Sequence, residues 1–174
     1  LCESATVLGV RLLVNDRLDV ALALKDAGVH LGARSLPPAE ARRFWGARRL
    51  LGVSVHTESE ALEAAVSGAD FLFVGAMFET PSHPTVAAKG TAFMGSVASR
   101  VDVPLIGIGG VTPERVAQVL ASGGHGVAAI RGIWDAPSPP DAVHTYLDAL
   151  GASDPEETND PGESSKPGES SHLL

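Results

Sequence analysis

Residues Pro104 to Glu114, PLIGIGGVTPE, hold a strand, a bare-backbone turn and a helix start in one short stretch. Leu105, Ile106 and Ile108 read as a buried parallel strand, because such strands are apolar on both faces. Gly109 and Gly110 permit a tight turn and let a ligand approach the backbone. Thr112 is placed to cap the helix that follows, and Pro113 suits its first position. Strand, exposed N–H groups and a positive helix end together read as an anion site, the alternative being an ordinary strand-to-helix turn. The pattern recurs at Gly126 to Ile133, GVAAIRGI. Paired loops of this kind hold phosphate in (β/α) barrels.

The remaining strand and helix signals alternate. Strands are expected at Arg11–Asp16, Val29–Gly32, Leu50–Val55 and Phe71–Ala76, with helices at Leu18–Ala27, from Pro37-Pro38 to about Trp45, and from Thr57 to about Val66. Thr57 and Glu60 have capping-box spacing. A long loop covers 77–90, and helices follow near 91–100, 113–122 and 139–150. About six βα units in this order predict a parallel sheet with helices outside it, either an open doubly wound sheet or an incomplete (β/α)8 barrel of the TIM type. A full barrel takes about 200 residues or more.

The 174 residues divide by composition into a body at 1–150 and a tail at 151–174. The tail has six acids, one lysine and the repeat PGESS, so it carries −5 of the net charge of −8. It is expected to be disordered, because it has too little apolar surface to offset its ordering entropy. The body has no basic patch for nucleic acid. Arg42, Arg43, Arg48 and Arg49 cluster around a helix end, where cations favour the dipole. No apolar run reaches the roughly 18 residues of a membrane span. A single cysteine, Cys2, fits a reducing compartment, and the expected location is cytoplasmic.

The strand-end segments VNDRLDVALA (14–23), GVHLGARSLP (28–37), GVSVHT (52–57), GAMFETPSHP (75–84), IGIGGVTPE (106–114) and GVAAIRGI (126–133) resemble the thiamine phosphate synthase and TenI family in order and spacing. The resemblance covers about residues 8 to 150. It implies a TIM barrel that is N-terminally incomplete here, because two strands of the family precede VND and the second of them carries an Arg-x-Lys pair. A barrel opened in this way exposes two strand edges, so a missing N-terminal segment or a homo-oligomer is expected to cover them. The start at Leu1 rather than Met agrees with residues lying upstream.

The family's synthases join a thiazole phosphate to a pyrimidine diphosphate with loss of pyrophosphate, using magnesium. Its TenI members aromatise the thiazole phosphate by proton transfer. By resemblance, Asn15 contacts the diphosphate and Asp16 holds Mg2+; the structural alternative for Asp16 is a helix cap. The synthases' second aspartate falls at Ser35, so magnesium would depend on substrate phosphate. Ser54 matches a pyrimidine-side contact. His56, on the same face of its strand, reads either as a proton shuttle or as a buried residue beneath the site. Glu79, Thr80, Ser82 and His83 match the thiazole-side loop, with His83 where synthases place lysine. TenI members carry a histidine at the position of Ala76. Gly109, Gly110, Ile130 and Arg131 match the thiazole-phosphate cradle, and Arg131 reads equally as an exposed helix-start residue. Glu79-Thr80 and the loss of Lys and Asp point to a TenI-like thiazole tautomerase, with His56, His83 and Glu79 as acid–base candidates. The alternatives are a thiamine phosphate synthase or a non-catalytic thiazole-phosphate-binding remnant. His30 is expected to serve in packing.

Overall fold

The computed structural model describes residues 2–80 and 87–151. Ser82, His83 and the tail from 152 onward lie outside the described residues. The elements are α1 (Cys2–Val7), β1 (Leu13–Asn15), α2 (Leu18–Leu22), β2 (Gly28–Leu31), α3 (Pro38–Trp45), β3 (Leu51–Val55), α4 (Glu58–Val66), β4 (Phe71–Val74), α5 (Gly90–Ala98), β5 (Leu105–Ile108), α6 (Pro113–Ala121), β6 (Gly126–Ala128), α7 (Arg131–Trp134) and α8 (Pro139–Leu150).

All pairings are parallel, and the strand order is β1-β2-β3-β4-β5-β6. This order settles the choice between the two expected architectures. A doubly wound sheet reverses its strand order at a switch point, whereas here the winding never reverses. The sheet is therefore a curled part of a (β/α) barrel, with β1 and β6 as its free edges.

The two faces of the sheet are unequal. Val29, Leu31, Val53, Val55, Leu72, Val74 and Leu105 face the helices and are buried. Met94, Val97, Val116 and Val119 pack over them from α5 and α6. The alternate residues His30, Ser54, Phe71, Phe73, Ile106 and Ile108 turn to the concave side and are half-buried. Parallel strands buried on both faces would read as continuous apolar runs. Here polar residues break the run on the concave side, where the site lies.

Three local details differ from expectation. First, α2 ends at Leu22 instead of running to Ala27. The Arg49 guanidinium draws the chain out of the helix: its Nη2 donates to the carbonyls of Ala21 (2.8 Å), Leu24 and Ala27 (3.3 Å), while its plane stacks 3.8 Å from the Trp45 ring. Second, Thr57 Oγ1 accepts from the Glu60 N–H at 3.1 Å, as a capping box requires, but the Glu60 carboxylate takes the N–H of His56 at 2.6 Å instead of that of Thr57. Third, Thr112 has the extended conformation of an N-cap, yet its side chain makes no cap hydrogen bond. The hydroxyl bonds instead to the Glu114 carboxyl and holds it below the usual range.

Candidate functional site at the strand C-termini

A cavity of about 450 Å³ opens where the C-terminal ends of β2 to β6 meet. Its two sides are built differently.

On the β5–β6 side the lining is backbone. Gly109 and Gly110 hold φ of 90° and 64°, in the left-handed region that favours glycine. A Cβ at Gly110 would lie 2.5 Å from the Glu79 carbonyl oxygen. The carbonyls of this turn are tied down. Arg115 Nη1 donates to the Gly110 oxygen at 2.7 Å, with the guanidinium 4.7 Å from the Phe78 ring centroid. The buried Tyr146 of α8 donates its hydroxyl to the Val111 oxygen at 2.9 Å. In a trans peptide the N–H points opposite to the C=O, so each tied carbonyl also aims the N–H that follows it. Among the described residues the N–H groups of Gly110, Val111, Arg131 and Gly132 have no hydrogen-bond partner. All four residues line the cavity. The Arg131 side chain is exposed, and its Nε bonds Asp135 at 2.8 Å.

On the β1–β3 side the groups are polar side chains. Asp16 sits at the end of β1 with φ 61°, a conformation aspartate tolerates better than most residues. Its Oδ1 accepts from the Gly32 N–H at 3.1 Å and from the Ser35 hydroxyl, and its Oδ2 accepts from Asn15 Nδ2 at 2.9 Å. The Ser35 and Gly32 bonds hold the Asp16 carboxyl below its usual range. Asp16 does not cap α2, whose cap position is Arg17 with no side-chain bond. That alternative is therefore excluded. Asn15 Oδ1 lies 2.6 Å from His30 Nδ1, and His30 Nε2 lies 2.8 Å from Ser54 Oγ. The His30 ring meets Phe73 edge-on at 4.9 Å. His30 thus bridges two site candidates instead of serving only in packing. Its sequence signal was a polar residue between two buried apolar ones in GVHLG, on the same face as Asn15 and Ser54.

His56 is exposed and lines the cavity, so it is not a residue buried beneath the site. Its Nδ1 donates to the Gly75 carbonyl at 3.0 Å. Ser54, Thr80, Ala76, Ile130 and Arg131 line the same space. Glu79 is exposed and is not among the lining residues. Asn15 and Asp16 stand one strand away and reach the cavity through Gly32 and Ser54.

Magnesium demands close to six oxygen ligands and often draws several from water and substrate phosphate. Among the described residues no cluster of three or more His, Cys, Asp or Glu side chains could hold a metal. Three of the four lone-pair positions on Asp16 are occupied, and one on Oδ2 remains open. The residues therefore fit a cation held at one point by the protein and otherwise by water and a bound phosphate, not a resident metal centre.

A parallel sheet wound one way, with four backbone N–H groups turned to a cavity at the last two strand ends, defines a protein of the (β/α)-barrel class. The chain belongs to the thiamine monophosphate synthase family, whose model matches residues 1–133. It is 44% identical over 141 residues to a thiamine-phosphate synthase of Roseiflexus castenholzii, covering 80% of this chain and 62% of that protein. A thiamine-phosphate synthase of Chlorobium phaeobacteroides is 37% identical over 139 residues, covering 79% of this chain and 68% of that protein. The chain thus spans less than two thirds of the length of the Roseiflexus relative. A solved thiamine phosphate pyrophosphorylase from Pyrococcus furiosus superposes with a TM-score of 0.78 at 29% identity, over 86% of this chain and 72% of that one. A 3-hexulose-6-phosphate synthase at 18% identity and TM-score 0.59 shares the fold.

Proposed function

We propose that the cavity is a thiamine-phosphate synthase site, in which a thiazole phosphate and a pyrimidine diphosphate meet and pyrophosphate is lost. Thiamine biosynthesis is the family's business. The names of the relatives support the synthase over the TenI-like tautomerase that Glu79-Thr80 suggested. Ala76, in the place of the TenI histidine, supports the same choice.

The observation that carries the reading is the set of four unpartnered N–H groups at Gly110, Val111, Arg131 and Gly132 on one cavity wall. They suit a phosphate monoester, which accepts hydrogen bonds from several donors at once. With the thiazole phosphate anchored there, its ring nitrogen lies toward β3 and β4. The pyrimidine diphosphate takes the β1–β3 side, where Asn15 and Ser54 meet it. In the reaction the bond from the pyrimidine methylene carbon to the diphosphate oxygen breaks, and the thiazole nitrogen bonds to that carbon. The electron pair of the broken bond leaves on pyrophosphate. Magnesium, which Asp16 would hold together with substrate phosphate, would supply charge neutralisation for that leaving group. The part of the chain's own residues is to hold the two rings facing each other and to keep water away from the electrophilic carbon; Phe73 and Ile108 supply apolar wall for this.

The test is calorimetric titration with thiazole phosphate, followed by an assay for thiamine phosphate with both substrates and magnesium. Binding and turnover are expected. Thiazole isomerisation without the pyrimidine substrate would restore the tautomerase reading. Binding without either reaction would favour a binding remnant.

A further inference from the structure

The polar side chains of β1 to β3 form one directed chain. Asn15 Nδ2 donates to Asp16 Oδ2 at 2.9 Å. The reverse placement of the amide would set its oxygen against the carboxylate, so the charge on Asp16 fixes which end of Asn15 faces His30. The end facing His30 is Oδ1, at 2.6 Å from Nδ1. An amide oxygen only accepts, so His30 Nδ1 carries the proton. In the neutral ring Nε2 is then an acceptor, and the group 2.8 Å from it, Ser54 Oγ, must donate. The Ser54 oxygen, which belongs to a cavity-lining residue, is left with its lone pairs free to accept. Phe73 against the ring edge prevents the imidazole from rotating out of this arrangement.

We infer that His30 is a positioning residue: held as its Nδ1–H tautomer between Asn15 and Ser54, it carries the orientation set by Asp16 across three strands and turns the Ser54 oxygen toward the ligand. Burial, which lowers the readiness of the ring to take a second proton, agrees with the neutral form. A histidine that merely filled space would have no fixed tautomer and no dependence on Asn15. The inference itself rests on hydrogen-bond polarity alone; only its ligand arm rests on the synthase reading.

The first measurement is long-range proton–nitrogen correlation NMR on the histidine-labelled chain, with the His30 signal assigned by its loss in His30→Gln. Protonation at Nδ1 is expected in the parent protein, and Asn15→Leu should move the proton to Nε2 or give a mixture. An Nε2–H ring in the parent, or a tautomer indifferent to Asn15→Leu, would overturn the proposal. The second measurement is calorimetric titration with the pyrimidine diphosphate and magnesium. His30→Asn keeps a donor near Asn15 but loses the reach to Ser54. It and Ser54→Ala should each weaken binding roughly five- to tenfold, about the worth of one hydrogen bond. The double variant should be no weaker than either single one. Losses that multiply in the double variant would overturn the proposal. An absence of binding in the parent would count against the synthase reading, and the tautomer measurement would still decide the role of His30.

Discussion

Tyr146→Phe isolates one bond in the wall of the cavity. Tyr146 is 6% exposed, and its ring packs in the core. Phenylalanine keeps the ring and removes only the hydroxyl, which donates to the Val111 oxygen at 2.9 Å. Val111 is also 6% exposed, so its carbonyl would be left with little access to water. An unsatisfied buried acceptor costs about 1–3 kcal/mol. For a chain of this size that lowers Tm by about 2–4 °C per kcal/mol. Urea unfolding and thermal melts of Tyr146→Phe, with the exposed His144→Ala on the same helix as control, measure this. The control should stay within about 0.5 kcal/mol of the parent. Because the Val111 carbonyl anchors the turn that carries the Gly110 and Val111 N–H groups, thiazole phosphate affinity should fall several-fold. Burial, then the charge on Glu114, raise the Tyr146 pKa above its ordinary 10.0. The sign follows: the contribution of the hydroxyl is fully present below pH 10 and fades as pH climbs through the raised value, so parent and variant should converge at alkaline pH. A Tyr146→Phe protein with unchanged stability and unchanged phosphate affinity would refute the claim that α8 holds the cradle.

Gly110→Ala adds a Cβ 2.5 Å from the Glu79 oxygen at a φ of 64°. The left-handed conformation alone costs about 1–2 kcal/mol, and the 78–79 backbone must shift, so thiazole phosphate binding by calorimetry should be lost along with some stability. Gly52→Ala places a Cβ 2.2 Å from the Phe71 ring, and chemical denaturation should show a loss of about 1–3 kcal/mol from overpacking. Arg49→Met keeps an apolar stem over Trp45 but frees the carbonyls of Ala21, Leu24 and Ala27; a loss of about 2–3 kcal/mol is expected, with faster amide exchange confined at first to residues 21–27.

Strand positions were legible because β1 to β5 end at glycine or at polar residues, and because Val and Leu mark the face under the helices. The barrel type became decidable only from pairing order, since alternation alone fits either winding. The cradle was legible as well, from its glycines and the helix start beyond them. What holds the cradle was not. Arg115 and Tyr146 reach Gly110 and Val111 from α6 and α8, and nothing local marks either side chain for that task. The end of α2 was misplaced for the same reason: its carbonyls turn toward Arg49, far along the chain, and helix propensity could not anticipate a distant guanidinium. The packing role expected of His30, and the buried alternative for His56, both fail on the concave face. It is only half-buried, so a polar residue alternating with buried ones need not be part of the core.

The two sides of the cavity have opposite polarity, and on the proposed function this has a consequence for metal dependence. The cradle presents N–H donors, and a phosphate monoester needs nothing further there. The other side presents a Ser54 oxygen with its hydrogen turned away, and one strand beyond it stands the Asp16 carboxylate, kept ionised by Ser35 and Gly32. Arg131 is the only Lys or Arg lining the cavity among the described residues, and it is already paired with Asp135. A diphosphate approaching Asp16 therefore meets like charge unless a cation sits between them. Magnesium should accordingly strengthen pyrimidine diphosphate binding by tenfold or more while leaving thiazole phosphate binding within twofold. Asp16→Asn should erase most of the magnesium effect and spare the thiazole phosphate. Paired titrations with and without chelator read both quantities. Equal magnesium dependence for the two ligands would show that the cation belongs to the cradle instead, and that the division of the cavity into an N–H wall and a carboxylate wall does not govern which substrate sits where.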